Sequence, residues 1–102
     1  MTKLSTLAHG RAGDKGRLVN ISVIAYDARD YARLAREVTV ERVRAQLGGA
    51  IAGDVRRYEL PHLGALNFVL ARPAGDSVTR SLALDAHGKS LSSLLLDLEL
   101  PE

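Results

Sequence analysis

A glycine- and cation-rich segment near the N-terminus carries residue types suited to binding an anion. Glycine recurs at every third position within residues 10–17, and Arg11, Asp14 and Lys15 stand between the glycines. Glycine lets main-chain amides approach a ligand closely, and cations beside such amides attract phosphate or carboxylate groups. We therefore expect a ligand-binding loop here, with Arg11 and Lys15 as contacts and Asp14 as a turn residue. The alternative is a long hairpin loop whose charges lie in solvent.

Two amide side chains and one arginine extend this candidate site. Asn20 and Asn67 each stand in an otherwise apolar stretch, where an amide must find a hydrogen-bond partner or reduce stability. A bond to substrate and a tie between strands both remain open for each of them. Arg80 is a candidate clamp for carboxylate or phosphate. The expected ligand-binding residues are Arg11, Gly13, Asp14, Lys15, Gly16, Asn20, Asn67 and Arg80.

Asp85 and His87 are the candidates for catalysis. His87 could act as a general acid or base that Asp85 orients, in a small lyase, isomerase or hydratase acting on acyl chains. That enzyme hypothesis requires their segment to meet Lys15 in space. Residues 83–90 also satisfy a relaxed phosphate-loop pattern, but they lack its glycines, and the chain is too short for the parallel sheet that carries such a loop. We do not expect nucleotide hydrolysis.

Composition excludes several classes of function. The chain has no cysteine, and its three histidines are far apart, so we expect no metal site and no cofactor. A formal net charge of +2, with no basic run interleaved with aromatics, argues against nucleic-acid binding. No apolar run reaches the roughly 20 residues that cross a membrane, and the N-terminus lacks the apolar core of a signal peptide. We expect a cytoplasmic protein.

The 102 residues predict one α+β domain over residues 1–102. Alternation over Leu18–Tyr26 predicts a strand whose core face holds Val19, Ile21, Val23 and Ala25. We expect further strands over residues 4–9, 55–60, 63–72 and 78–85, and a turn over residues 86–89. We expect helices from Asp27 or Asp30 to Val38, from Thr39 to Gly48 and over residues 90–97. The leucine spacing of residues 90–100 also fits a strand.

Five stretches of the chain together resemble a known family. In order, they are Ala8–Gly16, Asn20–Ala25, Tyr58–Pro61, Gly64–Leu70 and Thr79–Lys89. They are similar to the small C-terminal domain of the acyclic terpene utilisation (AtuA) family, which is described as ferredoxin-like. The resemblance implies a ferredoxin-like sandwich, in which helices pack on one face of a largely antiparallel sheet. Arg17 departs from the small or acidic residue that the family usually has there.

The resemblance also implies a biological setting. AtuA-like proteins belong to bacterial gene clusters that break down terpenoid alcohols through acyl-CoA chemistry, and in many relatives the small domain is fused behind a larger one. We therefore expect a standalone small subunit or binding module that works with a larger AtuA-like protein and a CoA-linked or other anionic molecule. Whether the isolated chain is an enzyme stays open, with a non-catalytic role favoured, and when alone it is expected to form a homo-oligomer. The remaining alternative is an oligomerisation domain, because residues 91–100 hold more leucines than one short element can bury.

Overall fold

The chain folds into an α+β structure, seen in a computed structural model that describes residues 1–15, 18–48, 51–71 and 85–101. Two short 3-10 turns, Ala28–Asp30 and Pro61–Leu63, supplement the regular elements. The strands are β1 (Thr2–Lys3), β2 (Ala8–Lys15), β3 (Leu18–Ala25), β4 (Ala52–Leu60), β5 (Ala65–Ala71) and β6 (Glu99–Leu100). The α-helices are α1 (Leu4–Leu7), α2 (Tyr31–Glu37), α3 (Val40–Leu47) and α4 (Asp85–Leu96).

The main sheet is antiparallel, with the strand order β2-β3-β5-β4. β3 and β4 run in the same direction with β5 between them, and α2 and α3 connect them, which is the split β-α-β arrangement of ferredoxin-like folds. β1 and β6 form a separate two-stranded antiparallel sheet, which brings the two ends of the chain together. The predicted α+β class and the antiparallel sheet are confirmed.

The hydrophobic core lies between one face of the main sheet and the helices. Val19, Ile21 and Val23 alternate along β3 and are buried, as their spacing predicts, whereas Ala25 is only half-buried. Phe68 of β5 pairs with Ile21 and is fully buried beside it. The helices contribute Leu34, Val38, Val43, Leu47, Leu91 and Leu95 to the same cluster. The predicted arrangement of helices over one sheet face is therefore confirmed.

Side chains define the ends of the helices, mostly as predicted. The Thr39 hydroxyl accepts a hydrogen bond from the Arg42 amide at 3.1 Å, and Gly48, with φ of 53°, ends α3. The Asp27 carboxylate accepts bonds from the Arg29 guanidinium and amide, which lower the Asp27 pKa below its usual 3.8. Asp27 thus caps the 3-10 turn, and Asp30, which precedes α2, makes no side-chain cap.

The Arg57 side chain, on the core-facing side of β4, connects the sheet to the end of α2. The Arg57 guanidinium of β4 donates hydrogen bonds to the carbonyl oxygens of Ala35 at 2.7 Å and Val38 at 3.0 Å. Carbonyls at a helix C-terminus lack partners within the helix and carry partial negative charge. Arg57 therefore supplies both the missing donors and a favourable cation.

The N-terminal prediction is wrong in two places. Leu4–Leu7 form one helical turn instead of the start of a strand, and Leu4 of this turn is fully buried in the core. The predicted loop is strand as far as Lys15: β2 pairs with β3 in an unbroken register from Ala8 opposite Ala25 to Lys15 opposite Leu18. Cross-strand hydrogen bonding overrides the low strand propensity of this glycine-rich sequence. Gly16 and Arg17 lie outside the described residues.

The C-terminal half of the chain also corrects two predictions. Residues 86–89 are not a turn, because α4 begins at Asp85 and continues to Leu96. The predicted strand over residues 78–85 is wrong at Asp85, and residues 78–84 lie outside the described part of the chain. The ambiguity over residues 90–100 resolves into a helix that ends at Leu96, followed by β6.

Most of the leucines near the C-terminus belong to the domain's own core. Four of them are buried there, namely Leu91, Leu95, Leu98 and Leu100. Leu94 is 38% exposed and Leu96 is half-buried, so the core takes up most but not all of these leucines, and the oligomerisation alternative stays a prediction. Within the described residues, no helix combines the length and apolar character needed to cross a membrane.

A polar, uncovered face of the sheet

The sheet has a second face that no described helix covers. Residues paired across neighbouring strands point to the same side of a sheet, so the strand register determines which side chains share this face. One row runs across all four strands and consists of Arg11, Ser22, Asn67 and Tyr58. The adjacent row consists of Gly13, Asn20, Val69 and Arg56. We call these eight residues the uncovered face.

The middle of the uncovered face is held by a hydrogen bond between side chains. The Asn67 amide Nδ2 of β5 donates to the Ser22 hydroxyl of β3 at 2.9 Å. Both side chains are half-buried, and the bond joins the two central strands of the sheet. Asn67 is therefore a tie between strands, which is one of the two roles open to it. Its Oδ1 oxygen accepts no bond from the described residues, and Tyr58 is the residue paired with Asn67 on β4.

The second amide of the uncovered face lies directly over a glycine. A Cβ atom added to Gly13 would stand 2.8 Å from the Asn20 Nδ2 atom, so the Asn20 side chain occupies space that only glycine leaves open. Gly13 itself has extended strand backbone opposite Asn20. The glycine thus serves the placement of Asn20 and not a turn, contrary to the predicted loop.

The uncovered face carries cations on both of its edge strands. Arg11 on β2 and Arg56 on β4 are exposed, and neither forms an ion pair with any described residue. No aspartate or glutamate belongs to either row. With neighbouring strands about 4.8 Å apart, the row from Arg11 to Tyr58 spans roughly 14 Å. Tyr58, 48% exposed, adds an aromatic surface beside the central amide. A face of this composition can bind an anion that also has a flat or polar part.

The remaining predicted residues fall into three groups. Asp14 and Lys15 belong to β2, where Lys15 pairs with Leu18, but their side chains are not among those the structure describes. Gly16 and Arg80 lie outside the described residues. Asp85 and His87 begin α4, whose helix packs against the opposite side of the sheet, so the backbone places these two catalytic candidates in the helix layer.

The histidines and acids supply no metal site in the part of the chain that the structure describes. No group of three or more His, Asp or Glu side chains comes together there. The His9 ring stacks on the Tyr26 ring with centroids 5.3 Å apart, and His62 lies exposed in the second 3-10 turn. His9 and His62 thus have different surroundings in the structure.

Sequence reasoning missed three of the polar residues of the uncovered face, and it also missed Val69. Alternation placed Ser22 beside Asn20 on the polar side of β3, and that signal could have identified it. Tyr58 and Arg56 had no such signal, because their membership depends on the register between β4 and β5. A bulge in β4 between Ala52 and Arg56 makes that register unreadable from sequence alone.

Comparisons with known proteins give one match. The family model described as "AtuA ferredoxin-like domain" matches residues 2–101, which is essentially the whole chain. No curated protein matches the chain, and neither does any solved structure. The match agrees with the split β-α-β arrangement of the main sheet.

Proposed function

Because this chain belongs to the AtuA ferredoxin-like domain family, we propose that it is a non-catalytic binding module that works with a larger AtuA-like protein. Its ligand would be an anionic, CoA-linked acyl compound of bacterial terpenoid catabolism, held on the uncovered face of the sheet. The observation that carries this proposal is the grouping of Arg11, Asn20 and Asn67 on one exposed, acid-free surface.

The chemistry of the uncovered face supports an anionic ligand. Arg11 offers a planar guanidinium that binds phosphate or carboxylate in a bidentate manner. The Asn20 amide can donate to further anionic oxygens, and the Tyr58 ring can stack on a flat group such as a nucleobase. Lys15, on the same strand as Arg11, would add a further cation. Together these groups suit a phosphate-bearing carrier better than a neutral hydrocarbon.

The same face supports binding more than catalysis. Ser22 is the one aliphatic hydroxyl among its eight residues, and that hydroxyl accepts a hydrogen bond from Asn67. The nearest described histidine along β2, His9, stacks on Tyr26 and makes no bond to Ser22. A nucleophile without a base in contact with it is not activated. A reaction would therefore need groups from the larger partner.

Calorimetric titration of the full chain tests the proposal. The titrants are CoA and a short branched acyl-CoA, each with and without the larger AtuA-like protein. We expect Arg11→Ala to weaken binding by about tenfold or more, since a charge-assisted hydrogen bond contributes roughly 1.5–3 kcal/mol. The control is Arg44→Ala, which removes the same charge from the exposed side of α3. No binding under any condition, or equal weakening by both variants, would overturn the proposal.

A further inference from the structure

The two edges of the main sheet differ in how they are protected. The ladder of β4 is interrupted by the bulge between Ala52 and Arg56, where Gly53 has φ of 71°. Bulges of this kind keep an edge strand from pairing with another chain. β2 is the opposite edge, and its eight residues pair with β3 without any interruption. Within the described residues, β2 therefore presents a straight outer edge with no bulge and no proline.

A cleft of about 520 Å³ lies beside this straight edge. It is lined by Gly10, Arg11 and Ala12 of β2 and by Ser92, Ser93 and Leu96 of α4. Side chains alternate between the faces of a strand, so three consecutive residues can share a cleft only where it follows the main-chain edge. Arg11 and Ala12 point to opposite faces and yet are both exposed, which agrees with an open edge.

We propose that an extended segment of a partner protein adds to the outer edge of β2 as a further strand, running through the cleft between β2 and α4. Its main chain would pair with the outward-facing amides and carbonyls of β2, which pair with no described strand, and such pairing is the general basis of recognition by strand addition. Gly10 and Ala12 are small enough to let a second backbone approach. The inference rests on the proposed function only for the existence of a protein partner, and it names where that partner attaches.

The charge at the rim of the cleft specifies the chemistry of the added strand. Arg11 is exposed at this edge and has no acidic partner among the described residues. A residue directly opposite Arg11 on the added strand would lie on the same face, about 5 Å away, where opposite charges attract. The segment should therefore carry an aspartate or glutamate at that position, with a small or apolar residue toward Leu96.

A second copy of this chain fits the edge poorly. If β2 pairs with itself about a two-fold axis, residues of the same face must meet. Centred on Gly10, the pairing sets Arg11 opposite His9; centred on Arg11, it sets the two arginines opposite each other; centred on Ala12, it sets them diagonally. Only the pairing centred on Arg11 sets like charges directly opposite, which is destabilising, and neither of the other two sets an acidic residue opposite Arg11. A strand from a different, acidic segment supplies that partner.

Selection from a random heptapeptide library displayed on phage tests the inference with the full chain. We expect the wild-type protein to enrich peptides in which an acidic residue alternates with β-branched residues. Arg11→Glu should enrich basic peptides instead, while the control Arg44→Glu on α3 should enrich the acidic set. Absence of enrichment, or the same acidic peptides from wild-type and Arg11→Glu, would overturn the inference.

A variant that fills the cleft separates this inference from the ligand proposed for the uncovered face. Ser93 is exposed on α4, so Ser93→Trp should block the cleft without disturbing the core or Arg11. We expect it to weaken a selected acidic peptide at least tenfold while CoA titrations stay unchanged. Retained peptide binding would contradict strand addition. A concentration-dependent dimer in sedimentation that Ser93→Trp abolishes would assign the edge to self-pairing and likewise overturn the proposal.

Discussion

Gly10 of β2 and Ser92 of α4 are so close that position 10 has no room for a side chain. A Cβ atom at Gly10 would lie 2.6 Å from the Ser92 hydroxyl oxygen and 3.5 Å from the Leu96 Cδ1 atom. Ser92 is 8% exposed, so its hydroxyl cannot easily turn away into solvent. This contact determines how closely α4 approaches the sheet, and thereby the shape of the cleft beside β2.

Gly10→Ala should therefore destabilise the domain by about 1–3 kcal/mol, the usual effect of overpacking a tight contact. The backbone is extended at this position, so alanine brings no conformational strain there. Chemical denaturation measures the change. Adding Ser92→Ala removes the oxygen that clashes and should restore most of the stability. If the double variant is as unstable as Gly10→Ala, the hydroxyl contact is not the cause.

Gly13→Ala should leave stability nearly unchanged but displace Asn20. The new methyl group meets the end of an exposed side chain, which can rotate away at little cost. We expect the side-chain NH₂ signals of Asn20 to shift in a ¹⁵N–¹H spectrum while the amide signals of the core strands stay in place. The same variant should weaken CoA binding. An unshifted Asn20 signal would show that the amide does not rely on the glycine.

Ser22→Ala and Asn67→Ala should not have additive effects. Each removes one partner of the 2.9 Å bond between the central strands, and the double variant leaves no half-buried group without its partner. We expect each single variant to lose about 0.5–1.5 kcal/mol in urea denaturation, with a coupling energy of similar size between them. Coupling near zero would mean that the bond adds nothing to stability.

Arg57→Met should destabilise α2 more than the same substitution at the neighbouring residue, Arg56→Met. Arg57 donates to two carbonyl oxygens at the end of α2, and methionine keeps the apolar contacts but removes these donors. We expect a loss of about 1.5–3 kcal/mol, together with faster hydrogen exchange in α2. The matched control is Arg56→Met, since Arg56 is exposed on the other face of the same strand. Equal losses from the two variants would rule out a capping role.

The sequence by itself determined the elements whose signals are local. Alternation along β3 predicted its core face at Val19, Ile21 and Val23, and all three are buried. Thr39 and Gly48 marked the ends of α3, because a capping hydroxyl and a residue with positive φ act within one helical turn. The family resemblance added the sheet architecture, which no single segment specifies.

Only the tertiary structure decided what depends on distant partners. The segment from Gly10 to Lys15 has the composition of a loop, yet β3 supplies the hydrogen bonds that make it a strand. α4 packs on that strand at Gly10, where the missing side chain leaves room for Ser92. The row from Arg11 to Tyr58 exists because four strands align in register, and register is set by pairing between segments far apart in the chain. The local propensities of single segments do not specify this register, because the contacts that stabilise it form only when the sheet assembles.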